Sequence, residues 1–190
     1  MGFRKDIILR LFSLFNFLKR RAYAAISKEI VGSPTILQAT IFEGNGKISF
    51  GNNVILGYYP SPKFYEGAMY IEAREASAVI AVGDCTIINN NCTIVADKSS
   101  ITIGKNCLIG ANVEILDSDF HSLSGDRKSS DYECWPVVIG DNVFVGNNVK
   151  ILKGSKIGHN SVVGNGSLVT KAFPENVILA GFPAKIIRSL

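Results

Sequence analysis

From Ile139 onward an aliphatic residue returns at every sixth position: Ile139, Val145, Ile151, Ile157, Val163 and Val169 head or follow IGDNVF, VGNNVK, ILKGSK, IGHNSV and VGNGSL without a break. The second position is usually Gly, and the fifth is small: Val143, Val149, Ser155, Ser161 and Ser167. The pattern recurs upstream at Ile103, Ile109 and Ile115, again at Val82, Ile88 and Ile94, and more weakly at Phe50 and Leu56. A period of six fits neither an isolated helix nor a simply alternating strand. It predicts a flat-sided coil in which each hexapeptide supplies a short strand and a turn. The anchors point inward and stack coil on coil, and neighbouring coils pair as parallel strands around one apolar column. Gly or Asn at the turns tolerates the dihedrals that a corner demands.

Two stretches break the period. Residues 58–75 carry two prolines and several aromatics, and the segment from Asp117 to about residue 137 is polar, with few anchors. The second reads as a loop leaving the prism, and long loops of this kind are usually functional. The chain divides into an amphipathic helix at 1–31 and a repeat domain at 32–190. No Pro or Gly interrupts Phe3 to Val31, and Ile7, Leu11, Leu14, Phe15 and Leu18 share one face, widened by Ile8 and Phe12. The apolar run is too short to span a bilayer. Ala22-Tyr23-Ala24 resembles a cleavage site, but Asp6, Arg10 and the Lys19-Arg20-Arg21 triplet argue against a signal peptide. Two readings stay open: a helix packed on its own oligomer, or a basic amphipathic anchor giving residues 1–25 peripheral contact with the inner membrane face.

Composition narrows the classes. With 47% hydrophobic residues in 190, the chain can bury a continuous core and is no disordered segment. Its net charge of +4 comes with no basic stripe interleaved with aromatics, so nucleic acid is not an expected partner. Cys85, Cys92, Cys107 and Cys134 form no CxxC pair and no Cys/His metal spacing, so no metal is expected and the thiols read as free, buried small groups.

Only two histidines are present. His159 sits inside the regular repeat IGHNSV and reads as an exposed turn residue. His121 ends Asp117-Ser118-Asp119-Phe120-His121, where the repeat gives way to the polar loop. Imidazole titrates near neutrality and suits removal of a proton from an attacking hydroxyl. Asp119 or Asp117 is placed to orient the ring through its second nitrogen.

The repeats and the ending VVGNGSLVTKAFPENVILAGFPAKIIRSL resemble the hexapeptide-repeat acyltransferases, and the DSDFH segment resembles their galactoside, maltose and capsular-polysaccharide O-acetyltransferase members. The resemblance runs from about Phe50 to Leu190. It implies an all-β, left-handed parallel β-helix of three hexapeptides per turn, an exception to the right-handed rule for parallel crossovers, assembled as a homotrimer with pockets between prisms. It implies acetyl-CoA as donor, a sugar or polysaccharide hydroxyl as acceptor, direct attack with His121 as base, and a cytoplasmic location, where that donor is made. By the same resemblance Gly146, Asn147, Asn165, Thr170, Lys171 and Arg188, with Lys185 as a further candidate, hold the donor; Lys and Arg suit its phosphates. Asn89, Asn90 and Asp97 are expected to contact the acceptor, with Arg127 and Trp135 as further candidates from the loop. The family's usual Trp is Phe144 here and its Ala is Asn165, so acyl groups larger than acetyl stay open. Alternatives are an antibiotic-modifying acetyltransferase of the same superfamily and a non-enzymatic scaffold. The zinc enzyme that shares the prism needs three histidines, and serine acetyltransferases carry a large helical domain in front.

Overall fold

The structure, a computed structural model, describes residues 2–122, 126, 128 and 131–190, with side chains from Asp6 onward. Helix α1 (Gly2–Ile26) precedes twenty short strands among the described residues, arranged as one sheet of eight (sheet I) and two of six (sheets II and III). Successive strands visit the sheets in turn: Ile55–Leu56 in I, Met69–Ala73 in II, Val79–Val82 in III, then Ile87–Ile88 in I again. Neighbouring coils pair in parallel, Phe144 with Val162 and Lys150 with Leu168, a step of eighteen residues or three hexapeptides per turn. The chain is a left-handed parallel β-helix.

The anchors read from the sequence are the core. Ile88, Ile109, Val145, Val163 and Leu179 stack behind sheet I, and Ile94, Ile115, Ile151 and Val169 behind sheet II, none more than 2% exposed. Burying aliphatic side chains of this size stabilises by about 1.5–3 kcal/mol each, which is why a strict repeat is enough to specify the column. The small fifth positions close the corners: Ser155 Oγ donates to Val169 O and Ser167 Oγ to Gly164 O.

Asparagine builds the turns. Eight of the eleven described non-glycine residues with positive φ are Asn, and the side chains of six of them form ladders along the prism. Asn91 donates to Asn112 and Asn112 to Asn148 along one row, while Asn142 donates to Asn160 and Asn160 to Asn176 along another. A short amide both tolerates the left-handed conformation and donates to the next coil while accepting from the last. Cys85 occupies such a corner, with φ of 57°, and is exposed. The expectation of a buried thiol is therefore wrong there, although Cys92 and Cys107 are buried and Cys134 half-buried.

Two boundaries differ from the sequence reading. Met69–Ala73 lies within the expected break at 58–75, yet it is a regular strand of sheet II with Met69 and Ile71 buried, so the excursion is confined to residues 57–68. The first coil of the prism, Thr35–Ile36, Thr40–Glu43 and Lys47–Phe50, lies ahead of the first repeat legible in the sequence at Phe50. Helix α1 ends at Ile26, where Ser27 Oγ donates to Tyr23 O and accepts from Phe42 N; residues 28–31 then run along the first coil, with Lys28 N donating to Phe42 O and Val31 N to Ile48 O. At the base of the long loop the two legs pair, through a Ser118–Cys134 bridge and a bond from Trp135 N to Asp117 O.

Candidate active site

The strand order sorts the candidate residues onto two different edges of the prism. Asn89, Asn90, Gly146, Asn147 and Asn165 lie in turns leading from sheet I to sheet II. Asp97, Asp117, Asp119, His121, Thr170 and Lys171 lie in turns leading from sheet II to sheet III, and Trp135 returns the loop to sheet III. Within one chain the face of sheet II separates the two groups.

At the first edge a groove of about 320 Å³ opens on the outer face of sheet I. Its walls include Tyr58, Ile87, Asn89, Leu108, Phe144 and Asn147. Leu108 is 50% exposed and Phe144 48%, high for large apolar side chains in the middle of a sheet. Asn147 Oδ1 accepts from Ala111 N, and Asn165 Oδ1 accepts from Asn147 N, so each amide tucks over the coil before it. This explains the Gly at the second repeat position. A Cβ on Gly146 would lie 2.3 Å from Asn165 Oδ1, and one on Gly110 2.6 Å from Asn147 Oδ1.

Asn90 has a different task from the acceptor contact expected of it. Its side chain is fully buried, donates to Tyr58 O and Pro62 O, and accepts from Tyr58 N. Gln38 braces the same excursion by donating to Lys63 O and accepting from Asn91 N. Together they hold residues 57–68 so that Tyr58 walls the groove. Replacing Asn90 with Ala strands buried backbone groups, so stability should fall by about 1–3 kcal/mol. Thermal or urea denaturation reads this loss; a wild-type midpoint with altered acceptor KM would return Asn90 to the role of a contact.

At the second edge the acidic residues are already engaged. Asp117 is buried and accepts from Asp97 N at 2.7 Å and Ser99 N at 2.8 Å; burial pushes its carboxyl above the usual carboxylate range while those N–H groups pull it back. Asp97 is also buried, accepting from Arg74 at 3.3 Å and from Ser118 Oγ at 3.4 Å, so it faces the protein instead of an acceptor. Arg74 makes a bidentate pair with Glu72 and lies 4.9 Å from the centre of the Phe120 ring. Asp119 pairs with Lys153 at 2.7 Å, and Lys153 also holds Glu133. No described hydrogen bond joins Asp117 or Asp119 to His121, which is exposed at the mouth of this polar cluster. Phe120 takes a positive φ of 61° immediately before it, a turn stabilised by its N–H donating to Ser118 Oγ. Trp135 is 54% exposed, beside the corner at Gly154, with Lys153 5.7 Å from its ring centre. Arg127 lies outside the described residues. His159, as expected, is an exposed turn residue, its Nδ1 accepting from Asp141 N.

Comparisons with known proteins fit this architecture. Residues 136–171 match the model of the bacterial transferase hexapeptide (six repeats), and residues 100–116 that of the hexapeptide repeat of succinyl-transferase. A protein of Escherichia coli (strain K12) named for lipopolysaccharide biosynthesis O-acetyl transfer, WbbJ, is 35% identical over 153 residues, covering 76% of this chain and 72% of the relative. The chain belongs to the hexapeptide-repeat acetyltransferase family. Galactoside O-acetyltransferase of the same strain is 41% identical over 111 residues, 58% of this chain and 54% of the relative. The matched region thus spans about half the length of several curated relatives. Among solved structures, a hexapeptide-repeat acetyltransferase of Vibrio cholerae O1 biovar eltor complexed with acetyl coenzyme A superposes with a TM-score of 0.58 at 26% identity, covering 95% of this chain and 88% of the other. A galactoside acetyltransferase in complex with coenzyme A gives 0.58 at 33% identity, covering 80% and 66%.

In this hexapeptide-repeat acetyltransferase the outer face of sheet I continues beyond the groove toward the C terminus. Phe144, Val162 and Ile178 sit side by side on sheet I, and the antiparallel hairpin that ends the chain sets Arg188 beside Ile178. Three strand spacings, about 15 Å, separate Phe144 from Arg188. Thr170 and Lys171 are exposed at the other edge, and Lys171 lies 5.6 Å from the Phe173 ring centre. Three of the family member's four thiols are poorly suited to a relay. Burial pushes Cys92 up to about 12 and raises Cys107 and Cys134 as well, which depletes the reactive thiolate. Sequence reasoning missed Tyr58, Leu108 and the Gln38–Asn90 clamp. Tyr58 sits in a break of the repeat, and Leu108 occupies a position whose outward exposure only the coil geometry reveals.

Proposed function

We propose that this chain is an O-acetyltransferase that moves an acetyl group from acetyl-CoA to a hydroxyl of a sugar or polysaccharide, and that it works as a homotrimer in the cytoplasm. The observation that carries this reading is the split site. The outward row of sheet I is apolar throughout, with Ile55, Ile87, Leu108, Phe144, Val162 and Ile178, whereas the row of sheet II is mixed, with Thr93, Glu114 and Lys150 between Tyr70 and Leu168. An uninterrupted apolar face asks for a partner surface, and a threefold ring of identical copies supplies one. The edge bearing His121 on one copy then meets the groove of the next, and a site incomplete in a single chain becomes whole.

In that arrangement the apolar wall at Phe144 and Leu108 takes the pantetheine arm, Gly146, Asn147 and Asn165 flank it, and Arg188 meets phosphates at the end of the row. These residues fit the donor: the wall is apolar where the arm is apolar, and the cation lies where charge is needed. Relatives with this fold are described in complex with acetyl coenzyme A or coenzyme A, which supports the assignment. His121 takes the proton as the acceptor oxygen attacks the thioester carbonyl carbon, and returns it to the departing sulfur, so the products are the O-acetyl ester and the free thiol. Asp119, tied to Lys153, positions the loop base next to His121. Asn89 and Trp135 offer the polar and aromatic surfaces that a sugar ring needs. The names of the relatives, galactoside and polysialic acid O-acetyltransferases, favour a glycan acceptor.

Release of free thiol from acetyl-CoA, measured with a panel of mono-, oligo- and polysaccharides against hydroxyl- and amine-bearing antibiotics, tests the reading. Turnover with glycans alone is the expected outcome. Turnover with the antibiotics alone overturns the acceptor class, and no acetyl-CoA binding at all overturns the enzyme.

A further inference from the structure

Helix α1 is amphipathic with its apolar face turned away from the protein. Ile7, Leu11, Leu14 and Leu18 follow i, i+4, i+7, i+11 spacing, with Ile8 and Phe15 beside them, and all six are between 44 and 60% exposed. The opposite face holds the body through polar groups. Asn16, 6% exposed, donates from Nδ2 to Leu37 O, and Lys19 Nζ donates to Gly67 O. On a helix that served only to cover a soluble core, these faces would be exchanged.

Charge identifies what the free face meets. Residues 2–26 contain Arg4, Lys5, Arg10, Lys19, Arg20 and Arg21 against the single acid Asp6, a net of +5 when the whole chain carries +4. All of the chain's excess positive charge is therefore in this helix, and the remainder is close to neutral. Arg10 and Arg21 flank the apolar stripe on one side, at 100° per residue, while Lys19 on the other side is tied to Gly67 O. A second copy of the helix would bring the same positive charge to the contact; an anionic lipid surface brings the opposite one. Phe12 stacks at 5.3 Å on Tyr65, which touches Tyr59 next to the groove residue Tyr58, so the helix and the groove share one aromatic platform.

We propose that α1 docks the protein on an anionic bilayer surface, with Ile7, Leu11, Leu14, Phe15 and Leu18 entering the headgroup–acyl boundary and the flanking Arg10 and Arg21 side chains meeting acidic headgroups. No helix among the described residues is long and apolar enough to cross a membrane, so the contact lies in the plane of the interface. The inference is independent of the acetyl-transfer reading, because its test reads partitioning and not turnover.

The test is cosedimentation of the full chain with phosphatidylcholine vesicles containing roughly one-third phosphatidylglycerol, against pure phosphatidylcholine. The wild-type chain should pellet with the anionic vesicles only and be released at about 0.5 M salt, where screening shortens to a few ångströms. The Leu14→Glu/Leu18→Glu variant should bind at least about tenfold more weakly with an unchanged elution volume, and Arg10→Gln/Arg21→Gln should weaken binding by a similar factor. Retention of the wild-type chain in the supernatant overturns the proposal. Equal binding to neutral vesicles overturns its electrostatic half. A smaller oligomer in the Leu14→Glu/Leu18→Glu variant would show that a second copy covers the face instead.

Discussion

The His121→Ala variant should retain acetyl-CoA binding and lose turnover by roughly 10² to 10⁴-fold, the usual worth of a positioned general base. The loss should fall on kcat, because the imidazole acts on the proton that moves as the acceptor oxygen attacks. The side chain is exposed and carries no described hydrogen bond, so its removal should leave the thermal midpoint near that of the parent. Near-normal transfer by this variant removes His121 from the reaction. Mixed trimers sharpen the test. If His121 serves the groove of a neighbouring copy, co-assembly of His121→Ala with a chain whose groove is blocked from its turn edge, Asn89→Trp, should restore activity that neither possesses alone. Without such rescue, base and groove belong to the same copy, and the split site fails.

If the copies assemble as the proposed ring of three, Leu108→Glu should break it. Leu108 lies in the centre of the apolar row on sheet I, paired with Ile87 on one side and Phe144 on the other. A carboxylate there would be buried without a partner in each copy of the ring, and an unpaired buried charge costs several kcal/mol. Light scattering should report a single chain where the parent reports three, with the far-ultraviolet signature of the strands intact, because Leu108 points away from the column. Acetyl transfer should fall by at least about 10²-fold, since groove and base then reside on separate molecules. A variant that stays trimeric shows that another surface holds the copies together. The mass measurement decides the matter, because Leu108 also lines the groove and activity alone cannot separate the two effects.

The amino-acid sequence was sufficient for the column. Aliphatic anchors at a strict period of six leave no freedom in which side chains go inside, and the small fifth positions and Asn corners make the coil close at every turn. The same regularity marked its own exceptions, so the loop bearing His121 stood out by failing to repeat. Burial and partnership were beyond its reach, because they depend on neighbours eighteen or more residues away. Asn89 and Asn90 are adjacent in the chain, yet one lines the groove and the other is sealed under residues 57–68 by Tyr58 and Pro62. Asp119 looked free to support His121 until the next coil placed Lys153 against it. The period also could not say which of three similar sheets would be apolar outside as well as inside. That property belongs to the outward positions, which no core constraint fixes, and the coil geometry alone sets His121 and the groove apart by the width of the sheet II face.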